Sequence, residues 1–438
     1  MAEIKPFHGY RFTLENPADL GFYCAPPYDM LDDAMVDALY AKHPNNVVRV
    51  TQNKRIPADT ANKDRHVRAG EFLNKWIGES VMTRDDAESI YIYRQQFSSP
   101  DEHGKPVPRE RIGVCSLVKL VGLDEGVVLP HEYTLSGPKQ DRYELMETTL
   151  ANTGQIFGLA ADDDGKLYEL IRLIMSSSPL VGFFTDENEV THSLYRCYDA
   201  GLINQAKELM KTRSILIADG HHRYETALRF YRDKGDDAFS HVMMTNVSMA
   251  DPGLIIRPFH RLVRKTGQGR SVGGMLDELA KYFDTVPLGK ASADGVYKAL
   301  SEHGKAEMVY WDSASGEIYD IRLNAGGEAF LAGVMPEQSD KWKHLDVSKI
   351  NCIIINGILS LPLDGQVLHD IVHYANDAAV GAEKLLGAEK GYYYGGIFIR
   401  PVSIGTVSDT VKGGERMPQK STNFYPKLYS GLVLNKMR

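Results

Sequence analysis

A short turn at 219–223 combines side chains that bind anions and metal ions. Asp219 offers a carboxylate, His221 and His222 offer imidazole nitrogens, and Arg223 offers a guanidinium. Imidazole, guanidinium and turn amide groups together supply what a phosphate requires. We therefore predict phosphate contact along the turn from Gly220 to Arg223, and contact with a metal ion or a substrate hydroxyl at Asp219.

The flanking residues predict a strand that ends at this turn and a helix that begins there. Residues 215–218 are apolar, and apolar residues recur at helical spacing after the turn, at Tyr224, Ala227, Leu228 and Tyr231. The unpaired N–H groups and the dipole at a helix N-terminus favour an anion. The alternative is purely structural, with Glu225 capping the helix and Asp219 closing the turn.

Acidic and basic side chains also meet where a predicted strand leads into a helix predicted at 139–149. His131 and Glu132 precede this helix, and Lys139 and Arg142 lie at its start. Phosphoryl transfer needs a carboxylate to accept a hydroxyl proton and cations to neutralise phosphate charge. We assign the general base to Glu132, and phosphate contact to Lys139 and Arg142. The alternative is a solvated helix face on which both cations pair with acidic neighbours.

Two distant blocks offer further groups for the same site. Asp29 follows two prolines that fix an extended backbone, and it is the rival general base. The alternative is that Asp29 or Asp32 only caps the helix predicted at 31–42. Near the end of the sequence, Lys420, Ser421 and Thr422 lie with Lys427 in a loop rich in proline and aromatic residues. We expect phosphate contact from this cluster of four residues, and we assign cofactor binding to Lys420, Ser421 and Thr422.

Three stretches resemble metal-binding or phosphate-binding motifs but lack residues that those motifs require. His369 and His373 have the spacing of two zinc ligands on one helix turn, but an aspartate replaces the required glutamate and the stretch also suits a strand. Residues 414–421 imitate a phosphate-binding loop, but Gln419 stands where that loop needs glycine. Residues 161–165 lack the ligand spacing of a calcium loop, so they predict a turn or a helix N-terminus.

The residues ADGHHRYETA at 218–227 resemble the hallmark of a widespread bacterial family, formally a domain of unknown function. Four further blocks that match the family span almost the whole chain: APPYDML at 25–31, PHEYTLSGPKQDR at 130–142, DPGLIIRPFHRLV at 251–263 and MPQKSTNFYPKLYSGLV at 417–433. The DGHHR turn is also similar to a turn of sulfiredoxins, ParB-type nucleotide-binding domains and free-serine kinases. That resemblance implies an α+β fold with a mixed ParB/sulfiredoxin-like sheet, and it implies ATP or another nucleotide as cofactor, to which phosphoryl transfer adds Mg²⁺.

Sulfiredoxin chemistry is excluded at this turn because His221 stands where the attacking cysteine would be. We therefore predict a nucleotide-dependent phosphotransferase that acts on a small hydroxyl metabolite, and the resemblance to serine kinases makes free serine a candidate. Two alternatives stay open. One is a non-catalytic ParB-like nucleotide-binding regulator, and the other is a metal-dependent phosphoester hydrolase.

Composition limits the class of protein. The chain is 43% apolar and 25% charged, as is ordinary for a globular protein, and its net charge of −8 argues against a bulk nucleic-acid binder. No apolar run approaches the roughly 20 residues that cross a bilayer, so no membrane partner is expected. Widely spaced cysteines and the absence of a signal-like N-terminus predict a cytoplasmic protein. The expected partners are a nucleotide and a small-molecule substrate, and homo-oligomerisation stays open.

At 438 residues the chain exceeds a single typical core, so two domains are expected. The loop-like residues 266–270 mark the boundary. We predict a ParB/sulfiredoxin-like catalytic domain at 1–265, a smaller ferredoxin-like α+β domain at 266–400, and a C-terminal segment at 401–438 that packs back on the site. A strand at 254–263, which contains the binding candidates His260 and Arg261, is expected to pair through a turn with a strand at 241–248.

Overall fold

A large mixed sheet organises the first half of the chain. The structure is a computed structural model that describes residues 1–60, 63–132, 137–265, 274–301, 306–363, 366–389 and 391–438. In these residues the sheet has nine strands. Its spatial order is Val128–Pro130, Ile215–Asp219, Ile156–Ala160, His241–Ser248, Pro106–Lys119, Ile90–Pro100, Thr191–Cys197 and Leu180–Thr185, and Ile4–Lys5 also pairs with Pro106–Lys119.

The sheet is mixed because two of its strand pairs are parallel. Ile215–Asp219 runs parallel to Val128–Pro130 and antiparallel to Ile156–Ala160. Successive side chains of a strand point to opposite faces, so Ile215 and Ile217 enter one core while Leu216 and Ala218 enter the other. The strand is thus buried on both faces, and its carboxyl end carries Asp219 to the edge of the core.

A second sheet is built from later residues and is antiparallel throughout. Among the described residues its six strands lie in the order Phe283–Lys290, Glu317–Leu323, Met308–Asp312, Tyr393–Phe398, His260–Arg264 and Val372–Ala375. Apolar residues cover both of its faces in two clusters. Three two-stranded ribbons complete the pairing: Ile255–Arg257 with Asn423–Tyr425, Tyr10–Phe12 with Met82–Arg84, and Asn435–Lys436 with Ala151–Asn152.

Helices cover the sheets. Those in the first part are Leu20–Tyr23, Asp33–Lys42, Val48–Thr51, Arg65–Gly78, Gly137–Thr149, Lys166–Ser176, Ala200–Met210 and His221–Lys234, with 3₁₀ turns at Pro17–Asp19, Tyr28–Met30 and Asp237–Phe239. Those in the second part are Met275–Leu279, Ala293–Leu300, Ala325–Val334, Asp340–Lys343, Asp346–Lys349, the π-helix Ile350–Ile358, Gln366–Ile371, Ala378–Gly387 and Ile404–Lys412. No helix in the described ranges combines the length and hydropathy that a membrane span requires.

The C-terminal segment runs back across the first part of the chain. Met417 pairs with Glu132, Ser430 with Ala25, and Leu434 with Tyr10. Phe424, Leu428, Leu432 and Val433 are buried in the core on one face of the large sheet. Residues 417–436 therefore form part of that core, and they deliver the polar side chains between them to a fixed place.

The α+β class with a mixed sheet is confirmed, and most predicted elements are present. The predicted hairpin is the pair Ile90–Pro100 and Pro106–Lys119, in which Tyr91 faces Cys115. The turn at 161–165 does lead into a helix, because Asp162 accepts the backbone N–H groups of Leu167 and Tyr168. The ParB/sulfiredoxin-like assignment and the division into domains stay predictions, and the predicted boundary at 266–270 lies outside the described residues.

One predicted pairing is wrong. The run at 254–263 was expected to be a single strand beside 241–248, but it forms two short strands in different places. Ile255–Arg257 pairs with Asn423–Tyr425, and His260–Arg264 enters the second sheet. Pro258 separates them, because proline has no N–H group with which to continue a strand ladder. Elements not predicted at all include Phe283–Lys290, Ala325–Val334 and Ile404–Lys412.

Candidate functional site

A deep cleft lies at the carboxyl end of the strand Ile215–Asp219. It has a volume of about 1030 Å³ and is bordered by the turn at 218–223, the C-terminal segment and the second sheet. Most of the predicted site residues line it: Asp29, Glu132, Asp219, Gly220, His221, His222, Arg223, Lys420 and Thr422. Residues far apart in sequence thus converge on one space large enough for a nucleotide and a small substrate.

Asp219 is held between two cations. Its Oδ1 atom accepts from Lys427 Nζ at 2.8 Å, and its Oδ2 atom accepts from Arg223 Nη2 at 2.7 Å. Burial alone would raise the pKa of Asp219, but the Lys427 and Arg223 charges outweigh it and hold the pKa well below its usual range. Asp219 is therefore ionised, and it positions the two cations at the wall of the cleft.

Gly220 allows the chain to turn sharply from strand to helix. Its φ of 90° and ψ of 29° lie in the left-handed region that glycine adopts without steric cost. A Cβ atom at this position would lie 2.9 Å from Arg223 Nε, so the guanidinium packs directly over the glycine. The helix His221–Lys234 starts at the next residue and has no side-chain cap at Gly220, which leaves its N-terminus facing the cleft.

Glu132 is fixed by contacts on one of its two oxygens. Its Oε1 atom accepts from the Ser421 backbone N–H at 3.3 Å and lies 3.5 Å from both Thr422 Oγ1 and His131 Nε2. Burial alone would raise the pKa of Glu132, but the His131 ring, with His221 and Lys420, outweighs it and lowers the pKa. Within the described part of the chain Oε2 has no hydrogen-bond partner, so an ionised oxygen is available to the cleft.

His131 connects this carboxylate to the sheet. Its Nδ1 atom lies 2.6 Å from the Ile217 carbonyl oxygen, which can only accept, so Nδ1 carries a proton. Its Nε2 atom lies 2.7 Å from the Thr422 hydroxyl. His131 also donates its backbone N–H to His221 Nε2 at 3.4 Å. The ring therefore joins Glu132, Thr422 and the turn at 219–223 in one network.

Three further titratable groups in or near the turn have shifted pKa values. Burial first, and the His131 ring second, lower the pKa of His221 to about 3. Burial and Lys139 lower the pKa of His222. The pKa of Asp29 is shifted in the opposite direction: partial desolvation at the cleft, where its surface is still exposed, and then the Asp219 carboxylate raise it. Asp29 thus holds a proton more readily than an ordinary aspartate.

Three predicted residues do not line the cleft. Arg142 is buried behind Tyr28, with its guanidinium carbon 4.0 Å from the ring centroid, and it donates to the Thr51 carbonyl at 2.7 Å. Lys139 forms an ion pair with Glu225. The Ser421 hydroxyl donates to the Pro418 carbonyl at 2.5 Å, and only the backbone N–H of Ser421 reaches Glu132. These residues support the walls of the site.

The two histidines with zinc-ligand spacing are not brought together as ligands. The helix Gln366–Ile371 carries His369, whereas His373 lies on the strand Val372–Ala375 and contacts the Tyr393 hydroxyl at 2.8 Å. Within the described residues, the group of side chains close enough to share a metal ion is Asp64, His66 and Glu144, which does not line the cleft.

A comparison with models of protein families identifies the family of the chain. A model described as "Protein of unknown function (DUF1015)" matches residues 4–348. The chain belongs to the DUF1015 family. This confirms the resemblance to a family of unknown function, and no curated protein matches the DUF1015 chain by sequence.

Several solved structures are similar to the DUF1015 chain at low identity. A free serine kinase in complex with AMP is 14% identical with a TM-score of 0.35, covering 72% of this chain and 89% of that chain. A conserved hypothetical protein from Pyrococcus furiosus is 14% identical with a TM-score of 0.34, covering 72% and 93%. SbnI from Staphylococcus aureus, truncated at its C-terminus, is 11% identical with a TM-score of 0.36, covering 74% and 87%.

Arg257 was not among the predicted site residues of this DUF1015 protein, and Lys427 was named only as a member of the C-terminal cluster with Lys420. Lys427 pairs with Asp219, and Arg257 lines the cleft beside Tyr425. Both lie within sequence blocks that match the family, but nothing in the local sequence shows that Arg257 faces the cleft. The binding candidate Arg261 is instead buried, where it donates to the Lys420 carbonyl at 3.0 Å and so supports the loop that carries Lys420.

Proposed function

We propose that this DUF1015 protein transfers a phosphoryl group from a nucleotide to the hydroxyl of a small metabolite, with free serine as a candidate acceptor. The observation that carries the proposal is the convergence of two kinds of group on one cleft. Arg223, Lys427 and a helix N-terminus face the cleft, and the ionised Glu132 lies beside them with one oxygen available. Phosphoryl transfer needs this combination of positioned cations and a base.

The cationic wall suits the nucleotide phosphates. Arg223 and Lys427 are held by Asp219 and need little reorganisation to meet an anion, and Lys420 extends the positive charge toward the C-terminal segment. Preorganised cations stabilise the charge on the transferring phosphoryl group more effectively than mobile ones. A nucleotide is therefore expected to place its terminal phosphates between the turn at 219–223 and Lys420.

Glu132 serves as the general base in this proposal. The acceptor hydroxyl gives its proton to Glu132 Oε2, and its oxygen forms a bond to the terminal phosphorus of the nucleotide. The bond from that phosphorus to the bridging oxygen breaks, and the nucleotide leaves with one phosphate fewer. Asp29 is the rival base, because it also lines the cleft and its pKa is raised.

Asp219 does not fit the role of a direct magnesium ligand in this arrangement. Both of its oxygens accept from cations, and a metal ion would have to displace Lys427 or Arg223. Mg²⁺ usually keeps several waters and binds largely through substrate phosphates. We therefore expect any Mg²⁺ to arrive with the nucleotide.

A direct test is to incubate the protein with ATP, ADP or CTP, Mg²⁺ and a pool of hydroxyl metabolites, and to follow the phosphorus species by NMR. A new phosphomonoester signal that grows as the nucleotide loses one phosphate supports the proposal. Nucleotide binding without turnover would favour a regulator. Phosphate release from an ester without nucleotide would favour a hydrolase, and either result would refute the proposed transfer.

A further inference from the structure

The floor of the cleft is a short ribbon that presents one polar face. Ile255–Arg257 pairs with Asn423–Tyr425, with Arg257 opposite Asn423 and Ile255 opposite Tyr425. Because side chains alternate along a strand, Arg257, Asn423 and Tyr425 share the face that lines the cleft. Phe424 and Ile256 point the other way, into the core of the large sheet.

Arg257 is a cleft cation that forms no ion pair within the described residues. Its guanidinium carbon lies 3.4 Å from the centroid of the Tyr425 ring, and its Nη2 atom donates only a long bond of 3.4 Å to Ser99 Oγ. Its Nε atom is buried and has no partner among the described residues, and no carboxylate in those residues forms an ion pair with it. Arg223, in contrast, is paired with Asp219.

The acidic side chain Asp377, which also lines this part of the cleft, is occupied by other donors. Its Oδ2 atom accepts from the Tyr297 hydroxyl at 2.6 Å, and its Oδ1 atom accepts the backbone N–H of Ala379 at 2.8 Å, where it caps a helix. Burial lowers the pKa of Arg257, and the nearby Tyr425 and Asp377 offset this effect only in part. The protein holds a stacked, half-buried guanidinium that is ready for an incoming anion.

Arg257 is connected to the proposed base by adjacent contacts. Asn423, opposite Arg257, directly follows Thr422, whose Oγ1 atom lies 3.5 Å from Glu132 Oε1. The same Oε1 atom of Glu132 lies 3.5 Å from His131 Nε2, and the backbone N–H of His131 contacts His221 at the phosphate-binding turn. The segment 422–427 therefore brings Arg257, the proposed base and the phosphate-binding turn to the same cleft.

We propose that Arg257, stacked on Tyr425, binds a carboxylate of the phosphoryl acceptor, so that the acceptors are hydroxy acids whose hydroxyl faces Glu132. This inference rests on the proposed function. A guanidinium donates two parallel hydrogen bonds to a carboxylate, and such a pair fixes orientation as well as position. A neutral acceptor would leave a buried donor unpaired, and a site built for a polar partner discriminates strongly against analogues that lack it.

The test compares matched acceptors that differ only in this group: glycolate with glycolamide, lactate with lactamide, and serine with serinamide. We expect the wild-type protein to favour the acid of the pair it accepts by roughly 10- to 100-fold in kcat/KM, which is the usual range for losing a hydrogen bond to a charged group. Arg257→Gln should abolish that preference while nucleotide affinity is retained. Arg257→Lys should retain only part of it, because lysine lacks the planar fork.

Arg264 provides a matched control. It is also half-buried, stacks on Tyr392 at 4.7 Å and has a buried Nε atom without a described partner, but it does not line the cleft. Arg264→Gln should leave the preference for acids unchanged. Equal use of acids and amides by the wild-type protein, or a preference that survives Arg257→Gln, would overturn the inference. Loss of nucleotide affinity in Arg257→Gln would also overturn it, since Arg257 would then contact the nucleotide.

Failure of the proposed function can be told apart from failure of this inference by calorimetric titration of the same acids without nucleotide. If no acceptor is phosphorylated but one acid binds and Arg257→Gln weakens it at least tenfold, the carboxylate site stands and the transfer reaction is refuted. If no acid binds in an Arg257-dependent way and none is phosphorylated in preference to its amide, the inference is refuted.

Discussion

Replacing Gly220 with alanine would introduce one carbon at the turn that organises the cleft. Gly220 has a φ of 90°, and the new Cβ atom would lie 2.9 Å from Arg223 Nε and 3.0 Å from Arg223 Cζ. Contacts this short require the guanidinium to move. Arg223 would then lose its bond of 2.7 Å to Asp219, and Asp219 would keep only Lys427 as a cation.

The expected cost has two parts. Placing a non-glycine residue in the left-handed region costs about 1–2 kcal/mol. Displacing the partly buried guanidinium loses a charge-assisted hydrogen bond, which contributes about 1.5–3 kcal/mol. The free energy of unfolding should therefore fall by about 2.5–5 kcal/mol. The nucleotide should bind at least tenfold more weakly, because Arg223 no longer faces its phosphates.

Gly235 provides the matched control at the other end of the same helix. It also has a positive φ, of 62°, but a Cβ atom there would meet nothing within 4 Å. Gly235→Ala should therefore cost only the backbone strain, about 1–2 kcal/mol, and leave nucleotide affinity unchanged. Urea denaturation and equilibrium dialysis with nucleotide measure both quantities. Equal stability and equal nucleotide affinity in the two variants would refute the packing of Arg223 over Gly220.

Two further predictions concern protonation. His131→Gln removes the ring that contributes most to lowering the pKa of Glu132, so the acid limb of the kcat/KM profile should move to higher pH, and an unchanged limb would count against Glu132 as the titrating base. The pKa of His221 is about 3 in the folded protein and about 6.5 when unfolded, so the unfolded state binds more protons between these values. The stability contributed by neutral His221 is complete above pH 6.5 and is lost as pH falls toward 3, by up to about 1.4 kcal/mol per pH unit. Other histidines, such as the buried His260, also have a lowered pKa, so His221→Gln should reduce, not abolish, the slope of stability measured by urea denaturation between pH 6.5 and 4.5. The same slope in both proteins would show that His221 does not titrate in this way.

Local patterns predicted the elements that depend on local sequence. The strand Ile215–Asp219 and the helix His221–Lys234 follow from apolar spacing, and the glycine between them marks the turn. The chemistry of Asp219, Glu132 and Arg223 could be named from their residue types, and the structure places all three in one cleft. The expectation that these residues share one site rested on the blocks that match the family, not on any local periodicity.

Long-range pairing could not be predicted in the same way. Nothing in the residues 254–263 shows that Ile255–Arg257 pairs with Asn423–Tyr425 while His260–Arg264 enters another sheet. Strand pairing depends on cross-strand packing between distant segments, and local propensity does not encode it. Arg257 was missed for this reason, because only its pairing places it beside Tyr425 in the cleft. The burial of Arg142 behind Tyr28 is likewise a tertiary property, and the local sequence, from which Arg142 was assigned to phosphate, does not show it.

The most direct test of the central claim is to compare phosphoryl transfer and nucleotide affinity in Glu132→Gln, Asp29→Asn and the wild-type protein. With Glu132 as the base, Glu132→Gln should bind nucleotide with unchanged affinity and lose at least about 100-fold in kcat, within the range that a positioned general base contributes. Asp29→Asn should keep most of its activity. Transfer by Glu132→Gln at the wild-type rate, or a loss confined to Asp29→Asn, would contradict the account.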